Sequence, residues 1–127
     1  MKILNIVESA YRATIDEQRD TVLFFVDAMR KQAGADCTVL LRSHAVNYLN
    51  KRQRVESLRF GNVPVANPPR ICEDMAAMIE HGMTIYYVDE DAGECGIDRS
   101  DMIPGAKPVA RNALARLVAQ YDRVFHW

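Results

Sequence analysis

Cys95 is the residue of this chain whose type and setting most readily point to chemistry. It stands in Val88-Asp89-Glu90-Asp91-Ala92-Gly93-Glu94-Cys95-Gly96-Ile97, directly after the apolar run Ile85-Tyr86-Tyr87-Val88 and between two glycines. A thiol flanked by residues without side chains is open to a reaction partner, and a loop after a buried strand is where α/β proteins place their chemistry. The plainer alternative is an acidic, solvated turn with an incidental cysteine. Read alone, the residues leave both open. The thiolate is the attacking form, so a nucleophilic Cys95 needs a cation or a helix N-terminus beside it. Glu90, Asp91 and Glu94 oppose this. If Asp98 opens a helical turn, the amides from Gly96 to Arg99 point towards the thiol and Arg99 offsets the acids. Persulfide exchange also depends on exposure and intrinsic nucleophilicity, so an ordinary thiol can serve.

Other polar residues follow the predicted strands at the same sheet edge: Ser9 and Tyr11 after the first, Ser43 and His44 after the second, Asp89 and Asp91 after the third. His44 offers a proton donor or ligand, set against the plainer account of a capping Ser43 followed by a partly exposed histidine. A Ser9, His44 and Asp89 assembly has suitable residue types, but nothing in the spacing fixes its geometry. Asp89, Asp91 and Glu94 suggest calcium, yet an EF-type loop wants an oxygen ligand fifth and Gly sixth, and here Gly93 and Glu94 hold those places. GxGxxG, Walker A, GxSxG and HExxH signatures are all missing, and no cofactor is expected.

The elements that must position these residues are strands of short, continuous apolar runs separated by helices. Ile3 to Val7 predicts a first strand buried on both faces, with Asn5 as a buried amide partnered by a neighbouring strand or loop. A helix follows over 15–33, with Asp16 and Glu17 at its positive end and Gly34 as its stop. Asp36 to Leu41 predicts the second strand, which puts Cys37 at the amino end and in the core. A short helix runs from Ala45 to about Lys51, and Gly61 to Pro69 is a surface crossing. The helix over 70–82 carries Cys72 one position off its apolar stripe, packed and inert beside Glu73 and Asp74. Met83 to Val88 is the third strand. One or two helical turns over 97–103, a turn with at most a brief strand over 104–108, a helix over 111–120 and a strand over 122–127 complete the chain. This alternation predicts an α/β fold, a three-layer α/β/α sandwich on a mostly parallel sheet.

Composition bounds the function. The 127 residues are 49% hydrophobic, enough for the core of a single domain spanning 1–127. Sixteen Lys and Arg against seventeen Asp and Glu give a net charge of −1, which offers no case for nucleic acid or an anionic membrane. The four cations from Lys51 to Arg59 lack interleaved aromatics and suit a solvated face or a subunit contact. No apolar run approaches the roughly 20 residues that cross a bilayer, and the opening Met1-Lys2-Ile3-Leu4 resembles a strand, so a cytoplasmic protein is expected. Three cysteines at irregular spacing, with neither CxxC pairs nor a Cys/His framework for metal, fit free thiols in a reducing compartment.

Taken together, the strand Ile3 to Val7, Cys37-Thr38-Val39-Leu40-Leu41 and its following helix, Met75 to Gly82 leading into Ile85-Tyr86-Tyr87-Val88, Gly96-Ile97 after the cysteine, Met102-Ile103-Pro104-Gly105-Ala106 and the closing Ala119 to Phe125 resemble the DsrE/DsrF family, which includes TusD-type sulfur relay subunits. The resemblance covers nearly the whole chain. It implies a five-stranded, largely parallel sheet between helices (a DsrEFH-like sandwich) and assembly into homo- or hetero-oligomers, with a sulfur donor or acceptor protein as possible partner. It also implies a loop cysteine that carries sulfur as a persulfide, a carrier or transferase-like role that falls here to Cys95. Family members place that cysteine sooner after the strand, where this chain has Asp89, Glu90, Asp91 and Ala92. The alternative is a non-catalytic interaction or small-ligand module using Ser9, Tyr11, His44 and the acidic loop. A nucleotide-binding module lacks a phosphate loop and is the weakest reading.

Overall fold

The computed structural model describes residues 1–11, 20–54 and 59–127. In chain order the elements are β1 (Lys2–Val7), α1 (Thr21–Ala33), β2 (Asp36–Leu41), a 3-10 helix (Ser43–Leu49), the short strands β3 (Arg59–Phe60) and β4 (Val63–Pro64), α2 (Ile71–Glu80), β5 (Thr84–Val88), α3 (Asp89–Glu94), a 3-10 turn (Arg99–Asp101), β6 (Lys107–Val109), a second 3-10 turn (Arg111–Ala113), α4 (Leu114–Val118) and β7 (Arg123–His126). Five strands form one sheet in the order β6-β5-β2-β1-β7, and all its pairings are parallel.

The continuous apolar runs occupy the centre of that sheet because both of its faces are covered. Alternation along each strand divides the core into two layers. Ile3, Val7, Val39, Leu41, Ile85 and Tyr87 pack with α1, α2 and the first 3-10 helix, whereas Leu4, Ile6, Leu40 and Val88 pack against Leu117 of α4. Tyr86 and Tyr87 accordingly serve opposite layers. Asn5 is fully buried: its Nδ2 donates to the Thr38 carbonyl at 3.4 Å, and its Oδ1 accepts from Trp127 Nε1 at 3.4 Å. Cys37 is in the core, as expected, and burial, then Asp36, pushes its thiol up.

Several boundaries differ from the sequence expectations. α1 begins at Thr21; Asp16 and Glu17 lie outside the described residues. Its cap is Asp20, whose carboxylate accepts from the Val22 and Leu23 amides at 3.0 Å. The surface crossing contains a small hairpin, β3 paired antiparallel with β4, turning at Gly61. The brief strand after Pro104 is β6, the sheet's fifth member. Its approach is held by Gly105, at φ +94°, where a Cβ would lie 2.6 Å from Ile79 Cγ2.

Candidate functional site

The largest correction concerns the acidic stretch after β5, which is a helix rather than a loop. Asp89, Glu90 and Asp91 fill the first turn of α3, where the exposed amides of a helix start favour negative charge. Cys95 is the cap residue at the other end of α3, and its amide donates to the Asp91 carbonyl at 3.0 Å. The thiol is partly buried and its Sγ donates to the Ser43 carbonyl at 3.9 Å. Asp98 does precede a 3-10 turn at Arg99–Asp101, without a side-chain cap hydrogen bond, but the thiol donates to the Ser43 carbonyl rather than facing an amide donor.

Ser43 does not act as a side-chain cap. It has φ +49°, and its backbone is gripped from both ends: the amide donates to Asp91 Oδ2 at 2.6 Å while the carbonyl receives Cys95. Left-handed backbone at a residue with a Cβ costs about 1–3 kcal/mol and persists only where its surroundings enforce it. Among the described residues, Tyr11 at φ +58° is the other non-glycine in this region. Its amide donates to the Tyr48 hydroxyl, whose proton goes to Asp20 Oδ2, and the two tyrosine rings meet edge to face at 5.6 Å. Burial, then the nearby Cys95, pushes the Tyr11 phenol up. Both residues held in this unfavourable conformation therefore flank the cysteine.

Asp91 is 7% exposed and is the centre of the electrostatic network. Burial pushes its carboxyl up, but the Ser43 amide and the Arg111 guanidinium outweigh this and hold it below its ordinary value. Arg111 follows β6 and reaches Asp91 Oδ1 at 2.5 Å and Glu94 Oε1 at 2.8 Å, while its amide donates to Glu90 Oε2 at 2.8 Å. Its own proton is bound more firmly for the same reason, through Glu94 first and Asp91 next. One arginine thus ties three carboxylates of α3 to the end of β6. The sequence singled out Arg99 for this task. Arg99 pairs instead with Asp89 at 2.9 Å, at an exposed position.

Of the residues expected at the site, Tyr11, Asp91 and Cys95 are brought together, with Ser43 between the last two. Ser9 and His44 lie exposed at the same sheet edge, and His44 uses its carbonyl to accept from Asn47 Nδ2 at 2.9 Å. Asp89 and Arg99 form their own pair on the outer side of α3. Among the described residues, no group of three or more His, Cys, Asp or Glu is placed to hold a metal ion, and no helix is long and apolar enough to cross a membrane.

A wholly parallel five-stranded sheet between helices, with a thiol held at its carboxyl edge, defines a class of α/β domain. The chain belongs to the DsrE/DsrF-like family, whose model matches residues 1–127. Its fold is that of YchN from E. coli, at 16% identity and TM-score 0.75, covering 99% of this chain and 98% of that one. Two proteins of unknown function share it: MTH1491 from Methanobacterium thermoautotrophicum, at 13% identity and TM-score 0.66 over 99% and 98% of the two chains, and BT1422 from Bacteroides thetaiotaomicron, at 12% identity and TM-score 0.66 over 99% and 95%. No curated protein matches the sequence.

Proposed function

We propose that this chain is a cytoplasmic, homo-oligomeric sulfur carrier of TusD type, a single domain that holds sulfur as a persulfide on Cys95. The observation that carries this reading is the enforced geometry around the thiol: a partly buried Sγ at the sheet's carboxyl edge, fixed by the αL Ser43 and bordered by the αL Tyr11. In the loading step the Cys95 thiolate attacks the terminal sulfur of a donor persulfide. The new S–S bond forms as the donor S–S bond breaks, and the donor leaves as its thiolate. Tyr11, with Ser9 and His44 beside the entrance, borders the path of the donor. Asp91 holds the Ser43 peptide, and Asp89 with Arg99 fixes the outer side of α3.

The test is to incubate the protein with a small-molecule persulfide and count sulfane sulfur per chain by cyanolysis. Near-stoichiometric sulfur that disappears in Cys95→Ser supports the carrier; equal loading of the two proteins rejects it.

A second reading is favoured by one specific observation. Arg99 and Arg111 are committed to carboxylates, and the Sγ faces a carbonyl. With those cations engaged elsewhere, a non-catalytic interaction or ligand-binding module on the same edge fits. Cellular function retained by Cys95→Ala decides for the module, and function lost decides for the carrier.

A further inference from the structure

The sulfur of Cys95 lies among acceptors and negative charge. It stands at the carbonyl end of α3, where a helix carries its partial negative charge, and its Sγ meets the Ser43 carbonyl at 3.9 Å. Asp91 is four residues earlier, which puts the two side chains on one face of the helix with Cβ atoms about 5–6 Å apart. The Ser43 whose carbonyl faces the sulfur gives its amide to Asp91 Oδ2 at 2.6 Å. Glu94 is the residue before the cysteine and is exposed. Each of these disfavours the thiolate, the form that attacks a persulfide.

Arg111 counters that charge. Its Nη2 reaches Asp91 Oδ1 at 2.5 Å and Glu94 Oε1 at 2.8 Å, so one guanidinium holds both carboxylates. The neighbouring cations are occupied: Arg99 pairs with Asp89 at 2.9 Å and Arg42 with Glu8 at 3.0 Å. Of these two, Arg42 also acts on Asp91, less strongly than Arg111 does. Burial, then Cys95, pushes the Tyr11 phenol up, so it stays neutral where thiols titrate. Asp98 and His44 are exposed to water, which screens them.

We propose that Arg111 sets the reactivity of the carrier thiol: by binding Asp91 and Glu94 together, it cancels the charge that would otherwise hold Cys95 in its unreactive protonated form. The inference rests on the carrier reading above and names the residue that governs it. Arg111 acts on the sulfur through the two carboxylates it positions.

The size of the effect follows from how thiols react. An uncompensated carboxylate beside a thiol, partly screened by water, raises its titration by about one unit. One unit leaves about a tenth as much thiolate at neutral pH. Each remaining thiolate is about threefold more nucleophilic, because reactivity follows basicity with a coefficient of roughly 0.4–0.5. Loss of Arg111 therefore slows exchange about threefold at neutral pH and quickens it about threefold where the thiol is fully ionised. The two pH profiles cross.

The test is the rate of exchange with a neutral disulfide, dithiodipyridine, across pH. The full chain carries Cys72→Ser, which leaves Cys95 as the reachable thiol, since Cys37 is buried. The thiolate forms one S–S bond as the probe's own breaks, and the thiopyridone that leaves is read by absorbance. Arg111→Gln is expected to raise the midpoint by about one unit and to give the crossing profile. Adding Glu94→Gln removes a carboxylate that Arg111 neutralised and is expected to bring the midpoint back, although the tie between α3 and the end of β6 stays broken. A merely structural role leaves the double variant displaced. Should Arg111→Gln fail to fold, Glu94→Gln alone is expected to lower the midpoint, and an unchanged midpoint there overturns the proposal. Coincident profiles for wild type and Arg111→Gln, or a double variant as displaced as the single one, overturn this inference alone. A wild-type chain that takes up no sulfur by cyanolysis rejects the carrier reading instead.

Discussion

Asp91→Ala is the perturbation that most directly probes how the thiol is held. The carboxylate accepts the Ser43 amide at 2.6 Å and binds Arg111, and hydrogen bonds to a charged group are each worth about 1.5–3 kcal/mol. Arg111 keeps Glu94, which limits its share of the loss. Ser43, at φ +49°, loses the acceptor that enforces its conformation. Together these predict a loss of roughly 2–4 kcal/mol at neutral pH. With a urea dependence of about 1–3 kcal/mol per molar, the unfolding midpoint falls by about 1–2 M. Asp91→Asn retains an acceptor for Ser43 and gives up only the charge, so its loss is smaller. The pH dependence follows from the lowered carboxyl of the folded state. A lowered folded value means that the stabilisation is complete above the unfolded pKa, about 3.9, and disappears as pH falls through the folded one. The gap between wild type and Asp91→Asn therefore closes in acid. An unfolding free energy within about 0.5 kcal/mol of wild type for Asp91→Ala, the range of an ordinary surface change, refutes the account.

Three further outcomes follow from the same geometry. Gly105→Ala places a methyl 2.6 Å from Ile79 Cγ2 at a backbone φ of +94°, and thermal unfolding should register a loss of about 1–3 kcal/mol. Tyr48→Phe removes the hydroxyl that joins Asp20 to the Tyr11 amide; urea titration should show a loss of about 1–3 kcal/mol, and hydrogen exchange at Tyr11 should accelerate. Alkylation of Cys72, measured in the Cys95→Ser chain, should rise at higher pH than that of a free small-molecule thiol, because burial, then Glu73, pushes that thiol above its ordinary value.

The parts of the fold legible in the sequence were those set by local burial. Ile3 to Val7, Asp36 to Leu41 and Ile85 to Val88 are apolar on both faces, and the structure lays all three at the centre of the sheet. α3 was not legible as a helix: six residues with Gly93 among them carry no apolar stripe, and the available signal was the run of acids suited to a helix start. Arg111 was missed for a different reason. Its carboxylate partners are 17 and 20 residues away, and they meet it only because β6 pairs beside β5, a matter of strand order that local pattern does not determine. The carboxyl-edge position of Cys95 was legible, since it depends only on which strand the residue follows. The grip of Ser43 on its sulfur comes from β2 lying beside β5.

The central claim is that Cys95, and neither of the other thiols, holds the sulfur. Site-resolved mass spectrometry after loading with a persulfide donor tests it directly, with one precaution from the sequence. Cys72 and Cys95 lie between Arg70 and Arg99 with no Lys or Arg between them, so cleavage after Glu is needed to separate them. The account predicts the mass of one added sulfur on the fragment carrying Cys95, with Cys37 and Cys72 unmodified. Sulfur found on Cys72 with Cys95 bare contradicts it.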